Sequence, residues 1–473
     1  MTYEALSLFN TYESEEEFDA ALDELIDRGL LLFDRERGRY DLHPIVRGYA
    51  YDRLADKKGT HTRLRDYFAA VPEPERVESL DDLAPVIELY HHTVRAGQYD
   101  EAWELYRDRL SHLLYDRFGV CQTCIELLHA LFPDGDDKPP RLNKASGQGR
   151  ALNSLANSCT RSGQPRRAVS VWRVALPLVE NLGEKRNIAI GLGNLAAPQT
   201  LLGEFAVAEQ NLRRQIELCR KIGNEFWEAV GHRDLGLLLT YWGVFDKAAR
   251  EFNAALASFS NHLGATQSEC VVWAYRAIRA LLMDKAKAAL EAARKAREMA
   301  DVEGYERDVI RAEWLLGVAH RALGHLPEAE SHLIEALTRC RRINLVELEP
   351  DMLLEMARLW WAQAGGDEVT SDESTRLRDE ALKLAREALE IADRCEYRLK
   401  QADIHNFLAC LPLARSNELR GMRDEGGRTE ELAEARKHAE IARERAWCDG
   451  PPHCYKPALK EAERLLAKLS AGC

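Results

Sequence analysis

The chain has 473 residues, 46% of them hydrophobic and 30% charged. That is the make-up of a folded, water-soluble protein, too long for one ordinary core, and it predicts two to four domains or a repeat array. No apolar run approaches the roughly 18 residues of a membrane span, and the formal net charge of −13 weighs against a dominant, basic nucleic-acid surface.

The N-terminal MTYEALSLFN has no basic stretch followed by an apolar one, so no secretion signal is expected. Residues 14–28 predict an amphipathic helix with Phe18, Leu22, Leu25 and Ile26 inward and a Ser14/Glu17 capping box. Two short apolar runs then flank a polar turn at Arg35–Arg39, the pattern of a hairpin. A second helix follows with Pro44 at its first position. Helix, hairpin, helix is the outline of a winged helix, expected over residues 1–58. Glu13 to Asp27 carries eight acidic side chains and no basic one, which phosphates would repel. The turn arginines, Arg35, Arg37 and Arg39, sit beside Asp34 and Glu36.

Residues 59–144 read as a helical linker with one early, degenerate helix pair marked by Leu89-Tyr90, Gly97 and Ala102. Cys121-x-x-Cys124 with His129 lies on an apparent helix and lacks the second cysteine pair of a structural zinc site. The 11 cysteines are odd in number and scattered. Cys159, Cys219 and Cys340 sit within apolar helical patterns, which predicts buried free thiols in a reducing compartment and hence a cytoplasmic location.

From residue 145 to 473 one pattern recurs. A large residue is followed by Ala or Gly, then a Gly seven residues on, then an Ala five further. It appears at Leu155-Ala156/Gly163/Ala168, Leu195-Ala196/Gly203/Ala208, Leu235-Gly236/Gly243/Ala248 and Leu316-Gly317/Gly324/Ala329. A degenerate copy keeps Trp273, Ala277 and Ala289 but has Asp284 in the glycine's place. Later copies carry Met356-Ala357 with Ala381, and Leu408-Ala409 with Ala435. The small residues at 156, 196, 236, 277, 317 and 357 are spaced 40, 40, 41, 40 and 40 apart. A second series (Gly183, Gly223, Gly264, Gly304, Asn344) marks helix ends, because these residues tolerate left-handed backbone. Small residues let helices approach; Trp172, Leu212, Phe252 and Leu333 fill the space one turn later. The combination resembles a longer-helix form of the tetratricopeptide repeat. It implies an all-α solenoid, a superhelix of antiparallel helix pairs. Two polar stretches, 362–380 and 415–431, read as surface insertions. Cys448, His453 and Cys454 surround Gly450-Pro451-Pro452, which reads as a rigid closing loop.

LLLFDRERGRYDLHPIVRGYAYDRL is similar to the end of the winged-helix domain in signal-transduction ATPases with numerous domains, the STAND class with its NB-ARC and NACHT relatives. AWCDGPPHCYKPALKEAERLL resembles the closing segment of the repeat arrays such proteins carry. The resemblance implies a nucleotide-sensing histidine within a Met-His-Asp-type motif. Here Leu42-His43-Pro44 stands there, so only His43 corresponds. No G-x-x-x-x-G-K-[ST] phosphate loop occurs in the chain, so the ATPase is expected upstream or in trans.

In such arrays the first helix of each pair lines the concave face. The inward positions read Asn153, Asn157 and Arg161, then Arg233 and Tyr241, Trp314 and Arg321, Arg358 and Trp361, and Asn406. Arg, Tyr and Trp are common interface anchors, and arginines suit a carboxylate-bearing ligand. No G-x-S-x-G elbow or H-E-x-x-H helix is present. The sequence therefore predicts a non-enzymatic sensor and scaffold without cofactor or metal. It would bind a protein, peptide or small effector. The alternatives are a DNA-binding transcriptional regulator using the winged helix, or a scaffold for an effector enzyme supplied in trans.

Overall fold

The computed structural model describes residues 2–35, 38–261, 265–366, 369–422 and 425–471. It divides into two compact units, Met1–His112 and Leu113–Cys473. The stretch expected as a linker, 59–144, is thus shared between them. Arg37 of the hairpin turn and Gly264 of the helix-end series lie outside the described residues.

The first unit opens with α1 (Tyr3–Ser7) and α2 (Glu15–Asp27). Strands β1 (Leu31–Asp34) and β2 (Arg39–Leu42) follow, then α3 (Pro44–Arg53), α4 (Lys57–Ala70), α5 (Ala84–Arg95) and α6 (Tyr99–Leu105). The Ser14 hydroxyl accepts from the Glu17 amide at 3.2 Å, and the Glu17 carboxylate accepts from the Glu13 amide at 3.2 Å, a capping box shifted by one residue on its return bond. The two strands pair antiparallel, Leu31 opposite Leu42. Phe18, Leu22 and Leu31 form a small core with Ile26 against it. Leu25 was expected inward. It is exposed, because this short core is filled from one stripe of α2. His43 caps α3: its Nδ1 accepts from the Ile45 amide at 3.4 Å. α5 and α6 form the early pair, and its turn residue Gly97 has φ +81.

The second unit is an all-α solenoid of tetratricopeptide-like helix pairs. A short α7 (Cys121–His129) precedes seven pairs: α8 (Ala145–Arg161) with α9 (Pro165–Asn181), α10 (Lys185–Leu201) with α11 (Phe205–Lys221), α12 (Glu225–Tyr241) with α13 (Phe245–Phe259), α14 (Thr266–Leu281) with α15 (Ala286–Glu303), α16 (Glu306–Ala322) with α17 (Leu326–Arg342), α18 (Glu349–Ala364) with α19 (Ser371–Arg394), and α20 (Arg398–Met422) with α21 (Glu425–Trp447). A single helix, α22 (Lys456–Ala471), ends it. Among the described residues no helix is long and apolar enough to cross a membrane.

The turn inside a pair requires left-handed backbone. Gly203 takes φ +77, and Asp284, the residue in the degenerate copy, accepts φ 57 to keep the same turn. The small residue of each first helix is held against a large one. A β-carbon on Gly236 would lie 2.5 Å from Phe252, and one on Gly317 2.6 Å from Leu333. Successive pairs meet the same way, with Gly191 facing Trp172 at 2.8 Å. In the stretches 362–380 and 415–431 the described residues are mostly helical, apart from 365–366 and 369–370. They are mostly extra helical turns, which make α19, α20 and α21 longer than the 17 residues of α8 to α12. Each is rich in helix formers, and no proline falls within them to break the ladder.

The array winds until it meets itself. A β-carbon on the Gly163 turn would touch Val346 and Cys395, one on Gly203 would touch Arg398 and Cys448, and one on Gly243 Lys456. Arg166 pairs with Glu396 at 2.6 Å. The Ala206 amide donates to Asp449 at 2.9 Å, and the Glu347 amide donates to the Arg161 carbonyl at 3.2 Å. The segment around Gly450 thus closes the superhelix, and its His453 contacts Glu209 at 3.1 Å.

Close approach makes a testable demand. Gly317→Val should lower the unfolding free energy by about 1–3 kcal/mol through overpacking, and combined with Leu333→Ala it should cost less than the sum of the two single changes, because the smaller side chain makes room. Gly183→Ala has open space around it and should cost about 1–2 kcal/mol from backbone strain alone; Leu333→Ala should not relieve that cost. Urea unfolding of the singles and doubles distinguishes these outcomes.

Candidate binding cavity

The first helices of the pairs turn the same face inward, and the closed superhelix wraps them round a cavity of about 600 Å³. That volume falls in the range of small-molecule sites. Seven of the ten residues expected on the concave face line it: Asn157, Arg161, Arg233, Tyr241, Trp314, Arg321 and Arg358. The other three do not. Asn153 stands behind the wall, its carbonyl accepting from Asn194 at 2.7 Å. Trp361 packs into the core of the α18 to α20 region, with the Arg378 guanidinium 5.2 Å over its ring. Asn406 is buried and donates to the Ala458 carbonyl at 2.9 Å, tying α20 to α22. His43 belongs to the first unit, where it is an exposed helix cap.

The cavity wall is more highly charged than the sequence reading expected. Arg307 holds Glu347 at 2.8 Å, and Arg311 holds Asp308 at 3.1 Å. Glu355 sits between Arg321, at 2.8 Å, and Arg358. Lys400 pairs with Asp351, and Arg233 with its neighbour Asp234 at 2.7 Å. The Tyr455 hydroxyl donates to Asp403 at 2.9 Å. Such pairing is what burial of charge demands. Tyr115, Tyr241 and Tyr275 and an apolar wall including Leu237, Ile278 and Leu282 complete the lining.

The carboxyls feel this setting differently. Burial would push Glu347 and Glu355 up, but the arginines around each outweigh it and hold both below the usual range. Asp351 is raised by burial despite Lys400. Burial lifts Asp403 to about 6, with Arg358 and the Tyr455 bond only partly opposing. Burial also raises the Tyr241 and Tyr275 hydroxyls.

Several lining residues escaped the sequence reading. Arg311, Asp351 and Asp403 sit six residues before the small residue of their repeats, one helical turn upstream of the positions considered. The face repeats every three to four residues, so they were within reach of the same rule. Tyr115, Glu347 and Tyr455 lie outside the first helices, and no periodicity marks them. Cys121 and Cys124 are buried on α7, and among the described residues no group of three or more His, Cys, Asp or Glu could hold a metal ion.

No family model and no curated protein matches the sequence. Solved structures resemble it at low identity. One is a signal-transduction ATPase with numerous domains with a tetratricopeptide repeat sensor from Pyrococcus horikoshii, 16% identical with a TM-score of 0.42. That match covers 92% of this chain and 60% of the archaeal one, so the chain spans well under two thirds of that protein's length. A Rap protein complexed with Competence and Sporulation Factor is 14% identical, TM-score 0.40, covering 83% of this chain and all of that one. Aspartyl phosphate phosphatase F from Bacillus subtilis is 10% identical, TM-score 0.40, covering 85% and 96%.

The raised Asp403 carboxyl sets a pH dependence. Its pKa rises from 3.8 unfolded to about 6 folded, so its contribution to stability is fully present below about pH 4 and is lost as pH climbs through 6. Asp403→Asn, which keeps an acceptor for Tyr455 but no charge, should therefore gain on the wild type between pH 4.5 and 7.5. Melting curves of the two proteins across that range would show it; a constant difference would contradict it.

Proposed function

We propose that Leu113–Cys473 is a non-enzymatic binding module, the sensor and scaffold part of a STAND-type regulator, and that its ligand sits in the enclosed cavity. The observation that carries this reading is the convergence of seven expected concave residues on one cavity of about 600 Å³. A peptide segment or a small effector fits such a volume; a folded partner would engage the outside. Asn157, Arg161, Arg233, Tyr241, Trp314, Arg321 and Arg358 are the binding residues on this reading, with Asn153 and Asn406 positioning the wall. Residues 1–58 act as a winged helix, 59–144 as a linker and 145–473 as the array. An ATPase supplied upstream or in trans completes the regulator, with His43 nearest its nucleotide. The resemblance of the hairpin and closing segments supports that assignment.

A thermal-shift panel of short peptides and small metabolites on the whole chain tests the module. Ligands that raise the melting temperature should lose most of that effect in Tyr241→Ala and in Trp314→Ala, each checked for native circular dichroism. Unchanged shifts in both variants would remove the cavity from consideration.

A further inference from the structure

We infer that one part of the cavity wall, at Arg161, Arg307 and Arg311, is an oxyanion subsite, so that the ligand is a small molecule or short peptide carrying a carboxylate or phosphate group. The inference rests on the cavity being the binding site, and deepens that reading.

Seven cations and, with Asp308, seven carboxylates stand in or against the cavity wall, but they are not matched one to one. At the end formed by α18 and α20, cations and carboxylates are matched: Lys400 with Asp351, Arg321 and Arg358 sharing Glu355, and Asp403 bonded to Tyr455 close to Arg358. Just ahead of α18, one turn before Asp351, three guanidinium groups gather about one carboxylate, Glu347, whose acidity is strengthened by Arg307, Arg311 and Arg161 together. Arg307 pairs with it directly. Arg311 has Asp308, which is itself shared with the Gln267 amide at 2.8 Å. Arg161 forms no ion pair among the described residues. It donates to the Tyr115 carbonyl at 3.0 Å and lies over the Tyr115 ring at 3.6 Å. Three arginines thus face two carboxylates.

The hydrogen-bond account agrees. Arg307 Nε is buried without an acceptor, and an unpaired buried donor is costly. Arg307 Nη2 serves both oxygens of Glu347, and the remaining Nε donor suits one oxygen of a carboxylate or phosphate. Asn157 and Asn194 stand on the adjoining wall and supply neutral polar contacts. Beyond them Ile278 and Leu282 are apolar, so the anion belongs to a molecule with a hydrocarbon or ring portion. The seam closed by Arg166 with Glu396 and by Ala206 with Asp449 brings early and late repeats together, and partly buried pairs of this kind are stronger than fully exposed ones.

The test uses the whole chain and titration calorimetry with five probes: phosphate, pyrophosphate, citrate, spermidine and maltose. At least one of the three anions should bind. Arg161→Gln removes the member of the three arginines that has no ion pair among the described residues, and should weaken that binding about tenfold or more, as expected for a lost charge-assisted bond. Arg307→Lys keeps the pair with Glu347 but loses the fork, and should weaken it in the same direction. Pyrophosphate preferred over citrate would mark a phosphate ligand; the reverse would mark a carboxylate. Failure of all three anions to bind, or equal affinity in Arg161→Gln, would overturn the subsite. Spermidine or maltose binding that Tyr241→Ala abolishes, with no anion bound, would overturn the subsite while leaving the cavity as the binding site.

Discussion

Everything in the second unit depends on how closely two helices can lie. Gly236 against Phe252 and Gly317 against Leu333 are separated by distances that leave no room for a β-carbon. The backbone of each first helix rests directly on a large side chain of its partner. First helices lie against first helices from pair to pair, and stacked pairs of this kind carry a small rotation from one to the next. Repeated at a spacing of about 40 residues, that small rotation accumulates into a superhelix with the first helices inside.

The curvature has an electrostatic result. Side chains that would be spread along an open groove are instead drawn together, and Tyr241, Asp351, Asp403 and Glu347 become close enough to shift one another. Charges in that setting must find partners, and most do, some within one helix, as Arg311 with Asp308, and some across segments, as Arg321 with Glu355. The wall is thus a lattice of pairs that both stiffens the array and fixes where an unmet charge remains.

Much of this was legible in the chain. Period, turn residues and the large-against-small pairing came from local constraints that leave a mark at fixed positions. Even Asp284, which breaks the glycine pattern, keeps the left-handed turn, so the pattern reported geometry more than residue type. The concave face was legible where the helical period reached it, and was cut short by one turn at Arg311, Asp351 and Asp403. Leu25 misled because amphipathic spacing alone does not say how wide a core is. The polar stretches at 362–380 and 415–431 misled because hydrophilic residues at helix-forming positions extend a solvated helix as readily as they form a loop. Tyr115, Glu347 and Tyr455 were beyond reach: their place follows from the superhelix closing on itself, a contact between residues far apart in sequence.

That closure has a consequence for how the molecule is made. An open solenoid is nearly one-dimensional, each repeat needing only its neighbours, and it can fold from its N-terminal side as the chain emerges. Here Arg166 waits for Glu396 and Ala206 for Asp449, partners more than two hundred residues downstream. The early pairs must stand with an unfinished edge through most of synthesis. The segments from Glu347 to Asp449 convert a ribbon into a ring-like, more cooperative body, so the chamber comes into existence only after most of the array has been made.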